Sequence, residues 1–449
     1  IRRLHRKNHI CRLKGKQMKT LLKNCTVILN DDGNVRAESG LNIAVDGEFI
    51  GYIGSEIPDG IFDSVKDMSG KLVMPGLYNC HTHTSMVLLR GIGSGLPLNK
   101  WLFDAVFPVE DRLTADDIKA GSALAVLEMI SGGTVSFSDM YFYPRVTEEV
   151  VAKSGMKANL CRPVQSFDPD EQPHDCYRIA ESEELFKEFN GAAGGRILVD
   201  FCVHAEYTCN PQVVKAYSDI CREYNGNMHI HLSETEKEHR ECIEKYGKTP
   251  SEWFETLGAF DADAFAAHCV TVTDSDIDIL KKHNVSVIHN PTSNMKLGSG
   301  FAPIRRFLDT GINVALGTDG AASNNNLDML EEMHLASVIH NGLSRNATEL
   351  TAGEIINMAT VNGARVQRRE KCGALAVGNK ADIIALSLSA PHMQPCLDAV
   401  ALAVYSAQAS DVCMTMCDGK ILYENGEFLT LDRERIMFDV QKSVSRLYK

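Results

Sequence analysis

Four short segments carry histidines or carboxylates where an apolar, strand-like run comes to its end. Asn79-Cys80-His81-Thr82-His83 follows the run that starts at Gly76. Side chains two apart on a strand share a face, so His81 and His83 aim two imidazoles at one point. Neutral imidazole is a good ligand for zinc and similar metals. Taken alone, such a pair reads equally well as hydrogen-bonded interior histidines. His229-Ile230-His231-Leu232-Ser233-Glu234 repeats the arrangement. His231 lies nearest the strand end and is the better ligand, while His229, one layer deeper, reads as a satisfied interior residue. Glu234 falls just past the strand, where a carboxylate can turn over its end. Ala266-Ala267-His268-Cys269 and Leu316-Gly317-Thr318-Asp319-Gly320 complete the set. An aspartate after a strand often caps a helix; beside three histidines, Asp319 is better employed as an anionic metal ligand. The chemistry this combination suits is activation of water by a divalent ion, with groups at hand to move protons.

Such groups meet only if the strands that carry them run the same way and end on one face. The central stretch meets that need. Eight runs read as strands: 76–83, 134–140, 157–164, 196–207, 227–234, 263–270, 285–290 and 312–319. Helical patterns such as TADDIKAGSALAVLEMISGG and PQVVKAYSDICREYN separate most of them. Repeated βα units predict a parallel sheet, and eight of them in roughly 300 residues fit a closed (β/α)8 TIM-like barrel. A doubly wound sheet is the alternative, but no GxGxxG loop follows the first strand. Active sites in such barrels form at the carboxyl ends of the strands, where the four segments place their polar groups.

Both ends of the chain alternate apolar and polar residues with Asp-Gly turns at Asp32-Gly33, Asp46-Gly47 and Asp418-Gly419. They are expected to pair into one small β-sandwich domain. The domain reading is therefore a leader over 1–17, a first β part over 18–74, the barrel over 75–371, a second β part over 372–432 and an amphipathic helix over 433–449. The first seventeen residues carry seven Arg or Lys and no acid, without the apolar centre of a secretory signal, and are expected to be an unstructured leader. A net charge of −13 disfavours nucleic acid and anionic lipid as partners, and no run of ~20 apolar residues predicts a membrane span. The fourteen cysteines show no CxxC pair or finger spacing and read as reduced thiols in the core of a cytoplasmic protein. Whether the chain forms a homo-oligomer is not legible.

The motifs HTH at 81–83, HLSE at 231–234, AAHCV at 266–270 and LGTDGAASNNN at 316–326 resemble those of the amidohydrolase superfamily. The similarity is greatest to its 5-methylthioadenosine/S-adenosylhomocysteine deaminase-like branch. It extends over nearly the whole chain from Met18, including PLNKWLFDAVFPVEDRLT and HNPTSNMKLGSGFAPI. The resemblance implies one divalent metal held by His81, His83, His231 and Asp319. Zinc is the default for such donors, with Fe2+, Mn2+ and Ni2+ also compatible. Two-metal relatives carry a bridging lysine at the end of strand 4; here His204 stands in that strand instead, which implies one metal. His268 is expected to orient or deprotonate the water, Asp319 to help carry its proton, and Glu234 to protonate the ring nitrogen beside the attacked carbon. An alternative places His268 among the metal ligands. The implied reaction is hydrolytic deamination of an adenosine-type nucleoside.

For the substrate, the resemblance implies that Glu110 accepts from ribose hydroxyls and that His204 contacts the purine. Trp101 reads equally well as a wall of the ligand site or as core. Arg162 suits a substrate carboxylate, since a guanidinium offers two parallel donors. A second arginine is expected after strand 3, but that loop, SFDPDEQPHDCYRIAE, is acidic and leaves Arg178 without a role. This weakens S-adenosylhomocysteine relative to methylthioadenosine, adenosine or 5′-deoxyadenosine. Triazine- or guanine-type aminohydrolases and chlorohydrolases share the motifs and form the second reading. An inactive scaffold homologue is the third, disfavoured because every expected ligand is present.

Overall fold

The computed structural model describes residues 18–449; the expected leader over 1–17 lies outside them. The amino-terminal part forms β1 (Lys19–Asp31), β2 (Asn34–Asp46), β3 (Phe49–Gly54), β4 (Ser64–Asp67) and β5 (Lys71–Pro75). The middle forms β6 (Leu77–Thr82), β7 (Thr134–Met140), β8 (Lys157–Cys161), β9 (Pro163–Val164), β10 (Ile197–Val199) and β11 (Phe201–Val203). It continues with β12 (Asn227–Leu232), β13 (Asp263–His268), β14 (Ser286–His289) and β15 (Val314–Leu316). The end of the chain adds β16 (Ile383–Ser387), β17 (Val412–Cys417), β18 (Lys420–Glu424) and β19 (Glu427–Phe428). The protein is a mixed α/β structure.

All eight runs read as strands are strands. They lie in two sheets of parallel pairs, ordered β10-β8-β7-β6 and β15-β14-β13-β12-β11-β9. The two sheets part where the third and fourth runs, expected to be continuous, are interrupted. Pro163 has no N–H for a ladder, so β8 stops before it and β9 takes up a new partner. Asp200 interrupts the fourth run beside it, with its N–H donating to Leu160 O at 3.0 Å. At the other edge β15 lies against β6. β7 and β8 are covered on both faces, every residue of each being buried, although TVSFSDM and KANLC carry polar residues between their apolar ones.

The helices start where the sequence supplies caps. Thr114 and Asp117 form a capping box that opens helix Ala115–Ser131, and Asn210 accepts from Val213 N at 2.9 Å to open helix Pro211–Glu223. The terminal helix, Arg433–Leu447, packs on helix Ala115–Ser131 and is joined to it by Arg446 and Asp117.

The two ends of the chain do share a sheet, with the order β19-β18-β17-β16-β5-β1-β2-β3 and β4 beside β1. It is tied to the amino ends of the parallel strands by a buried ion cluster. Lys157, the first residue of β8, reaches Asp382 Oδ2 at 2.6 Å and Asp418 Oδ1 at 2.8 Å, and Tyr78 OH donates to Asp382 at 2.8 Å. Among the described residues, no helix is long and apolar enough to cross a membrane.

Candidate metal centre and active site

His81 sits near the end of β6, and His83 just beyond it. The His83 Nδ1 donates to Met140 O at 2.6 Å, and the His231 Nδ1, on β12, donates to His204 O at 2.7 Å. A carbonyl oxygen only accepts, so in each ring Nδ1 carries a hydrogen and Nε2 is the nitrogen turned toward the centre. These two Nε2 atoms face each other at 3.3 Å. His81 Nε2 is buried with no hydrogen-bond partner, while its Nδ1 lies 2.8 Å from His229 Nε2. His229 is thus the support for His81, as its deeper position suggested.

Asp319 completes the centre. Its Oδ1 lies 3.2 Å from His83 Nε2 and 3.5 Å from His81 Nε2. Its Oδ2 accepts from Ser293 Oγ at 2.6 Å and Ser323 Oγ at 2.8 Å. The approach depends on Gly317, where a Cβ would fall 2.6 Å from Asn290 Oδ1 and 2.9 Å from His81 N. Asp319 N then donates to His81 O at 2.9 Å, which sets the register of the two strand ends.

Ligand atoms of His81, His83 and Asp319 lie within 4.8 Å of one another, and so do those of His81, His231 and His268. Facing ring nitrogens, an orphaned ring nitrogen and a carboxylate together fit a divalent cation, which would take the place of a proton on His83. The electrostatics favour positive charge at this point. Burial pushes the His83 imidazole down, but the Asp319 carboxylate outweighs it and holds its pKa at about 9. Burial raises the Asp319 carboxyl, and His81 and His83 outweigh that in turn, holding it well below the usual carboxylate range. His81 is pushed down to about 4 by burial, and His231 falls well below its ordinary value for the same reason. Both are therefore neutral, the state in which an imidazole can bind a metal.

His268 closes β13. Its Nδ1 meets Asn294 Oδ1 at 2.9 Å, and its Nε2 lies 3.8 Å from Glu234 Oε2. Glu234 is 6% exposed, accepts from Ser299 Oγ at 3.2 Å, and is raised to about 7 by burial. Ser233, His268 and Asp319 all sit at positive φ (47°, 75° and 59°), a backbone state non-glycine residues avoid. At the strand ends it turns the chain so that side chains point over the centre, and its cost is carried by the surrounding packing.

The candidate substrate residues divide into two groups. Glu110, His204 and Trp101 line the same cavity as His83, His231, His268, Glu234 and Asp319. Glu110 accepts from Tyr141 OH at 2.6 Å and is raised to about 7 by burial. His204 is lowered to about 3, again by burial, and is neutral. Arg162 lies instead in an adjoining outer cavity, together with Arg178. Its Nε already donates to Glu181 Oε2 at 2.8 Å.

Residues 72–422 match the model of the amidohydrolase family. The chain belongs to that family. Over 433 residues it is 41% identical to a 5-methylthioadenosine/S-adenosylhomocysteine deaminase of Caldanaerobacter subterraneus subsp. tengcongensis, covering 96% of this chain and 99% of that one. It is 40% identical over 428 residues to a 5′-deoxyadenosine deaminase of Methanosarcina mazei, covering 95% and 98%. Among solved structures, an adenosine deaminase from Xanthomonas campestris with bound zinc superposes with a TM-score of 0.90 at 28% identity, covering 96% and 99%.

The reading from sequence missed the residues that hold the centre from behind. Asn294, Ser293 and Ser323 orient His268 and Asp319, and Tyr141 meets Glu110. The signal was present in PTSN and GAASN, polar clusters immediately beyond two strands.

Proposed function

We propose that this amidohydrolase removes the amino group of an adenosine-type nucleoside by hydrolysis, giving the inosine analogue and ammonia. The observation that carries the reading is the convergence of the His83 and His231 Nε2 atoms beside Asp319, with a carboxyl poised near pH 7, Glu234, on the same cavity. Relatives about 40% identical and named for this reaction support it. The two parallel sheets are taken as one (β/α)8 barrel over 75–371. The end segments, 18–74 and 372–432, are taken as a β-sandwich domain, and the C-terminal helix 433–449 as packing against the barrel. The active protein is placed in the cytoplasm.

His81, His83, His231 and Asp319 would hold one divalent ion, zinc by preference, which when bound would supply a water acidified toward neutral pH. His268 takes a proton from that water through Nε2, its Nδ1–H being committed to Asn294. Glu234 is raised to about 7 by burial, so below that pH it holds a proton to give the ring nitrogen beside the attacked carbon. That transfer is needed because an aromatic amidine is a weak electrophile until the ring nitrogen takes up charge. Asp319 helps carry the water's proton toward the departing amine. Glu110 would accept from the ribose hydroxyls, and His204 would meet the purine. Arg162, already paired with Glu181, is poorly placed for a substrate carboxylate, which favours methylthioadenosine, adenosine or 5′-deoxyadenosine.

The test is ammonia release from adenosine, 5′-deoxyadenosine, methylthioadenosine, S-adenosylhomocysteine and guanine by the metal-loaded enzyme. Turnover of adenine nucleosides, lost in Glu234→Gln by ~100- to 10,000-fold at unchanged metal content, is the expected result. Release from guanine alone, or from none of the five, overturns the assignment.

A further inference from the structure

Behind Glu234 lies a second pair of carboxyl groups that the proposed reaction does not use. Glu206, in the turn Glu206–Thr208 just after His204, is 2% exposed; Glu238, in the first turn of helix Glu236–Tyr246, is 6% exposed. The turn packs against that helix, and Glu206 Oε2 and Glu238 Oε1 are both buried with no hydrogen-bond partner. Two carboxylates could not pair there, since both only accept; for the two to join, one must be a carboxylic acid. The other contacts say which. Glu238 Oε2 accepts from Glu234 N at 2.7 Å and Thr235 N at 3.3 Å, the work of an ionised capping carboxylate. That leaves Glu238 Oε1 and Glu206 Oε2 as the buried oxygens of the pair still without a partner.

We propose that Glu206 is a neutral acid that donates to Glu238 and, through it, holds the backbone of Glu234 in position for proton transfer. Glu206 and Glu238 are positioning residues: neither lines the substrate cavity. The arrangement joins two strand ends. The His204 carbonyl orients the His231 ring from one side of the turn, and Glu206 anchors Glu234 from the other. Burial pushes the Glu206 carboxyl well above its ordinary range, with Glu238 adding to the effect, in keeping with a retained proton. The charged or titratable groups around the pair are Tyr207, Glu234, Cys242, Lys245, His268 and Cys269.

This inference rests on Glu234 acting as the proton donor. Its test compares Glu206→Gln, Glu206→Asp and Glu206→Met in the metal-loaded, full-length enzyme. E206Q keeps a donor of the same reach, so kcat stays within about twofold of wild type. E206D keeps the acid but withdraws it by one methylene, and kcat falls ~10-fold. E206M removes the donor at similar volume; kcat falls ~30- to 100-fold while KM changes less than about threefold. With Glu238 left unscreened, the alkaline limb of kcat in E206M moves up by about half a pH unit, and E206Q restores it. Hydrogen exchange over residues 232–240 reads the anchor without any substrate: protection falls in E206M and E206D and holds in E206Q. Failure of wild type and all variants alike to release ammonia, while exchange follows this order, would sink the deaminase assignment alone. An E206M enzyme with wild-type kcat and protection, or an E206Q as impaired as E206M, overturns the inference.

Discussion

The two ends of the parallel strands both bury charge, and they do so in opposite ways. At the amino ends cations meet anions: Lys157 lies between Asp382 and Asp418, and Arg369 donates to the carbonyls of Ala158, Gly195 and Arg196 and to Asn159 Oδ1. At the carboxyl ends lone-pair groups crowd around too few protons: His83 Nε2 faces His231 Nε2, Asp319 Oδ1 faces both His81 and His83, and His81 Nε2 has no hydrogen-bond partner. Burying polar groups is costly unless they are paired. A network that pairs its own groups stabilises the fold, whereas one that leaves acceptors converging is built for something brought in from outside.

The sharpest way to break this contrast is to strip one charge from each end. Asp319→Asn removes the only carboxylate of the proposed ligand set. Bound metal measured by elemental analysis should drop well below one per chain, and kcat should fall by ~1000-fold or more. Lys157→Met should do the reverse. It leaves buried Asp382 without its cation, so unfolding in denaturant should show a loss of ~3–5 kcal/mol. The kcat of the folded fraction should stay within about twofold of wild type. A K157M enzyme that lost activity without losing stability would erase the distinction between the two ends.

A third expectation concerns pH. The Glu234 carboxyl, raised from 4.5 to about 7, is protonated below that value and charged above it. The proton-donating form therefore disappears on the alkaline side, and kcat/KM should fall about tenfold per unit above pH 7. The stability linkage has the same sign: a carboxyl whose folded pKa is raised favours the folded state most at low pH, and that contribution is lost as pH rises through 7. A flat profile from pH 6 to 9 would remove Glu234 from the donor role. The smallest expected effect is that of Ser323→Ala, which takes one of two hydroxyl donors from Asp319 Oδ2. Metal affinity should weaken ~10-fold with the fold intact, read by competition with a chelating dye.

What could be read from the chain follows physical period. Short runs rich in apolar residues, set apart by helical patterns, made the eight central strands legible, and alternation with Asp-Gly turns did the same for the pairing of the two ends. The interruptions at Arg162 and Asp200 were less so. Pro163 stood in plain view, but which sheet each half-strand joins depends on neighbours far along the chain. The groups at the strand ends were legible as well: His81, His83, His231, His268, Asp319 and Glu234 all stand where an apolar run meets polar residues, and the structure brings all six together.

Their roles as ligand, base and acid were not spelled out by spacing. The state of each ring is set by the carbonyl or amide behind it, Met140 for His83, His204 for His231 and Asn294 for His268. These partners come from elsewhere in the fold. Arg162 makes the same point from the other side. Its residue type suits a carboxylate, yet the tertiary structure has already given it Glu181, and the acidic Glu206–Glu238 pair acquires meaning only because two turns fold against each other. Local sequence decides which side chains point out of a strand end, because the period of a strand is a property of the backbone. Only the packed chain decides which of them are left with an unpaired atom, because pairing is a relation between parts distant in sequence.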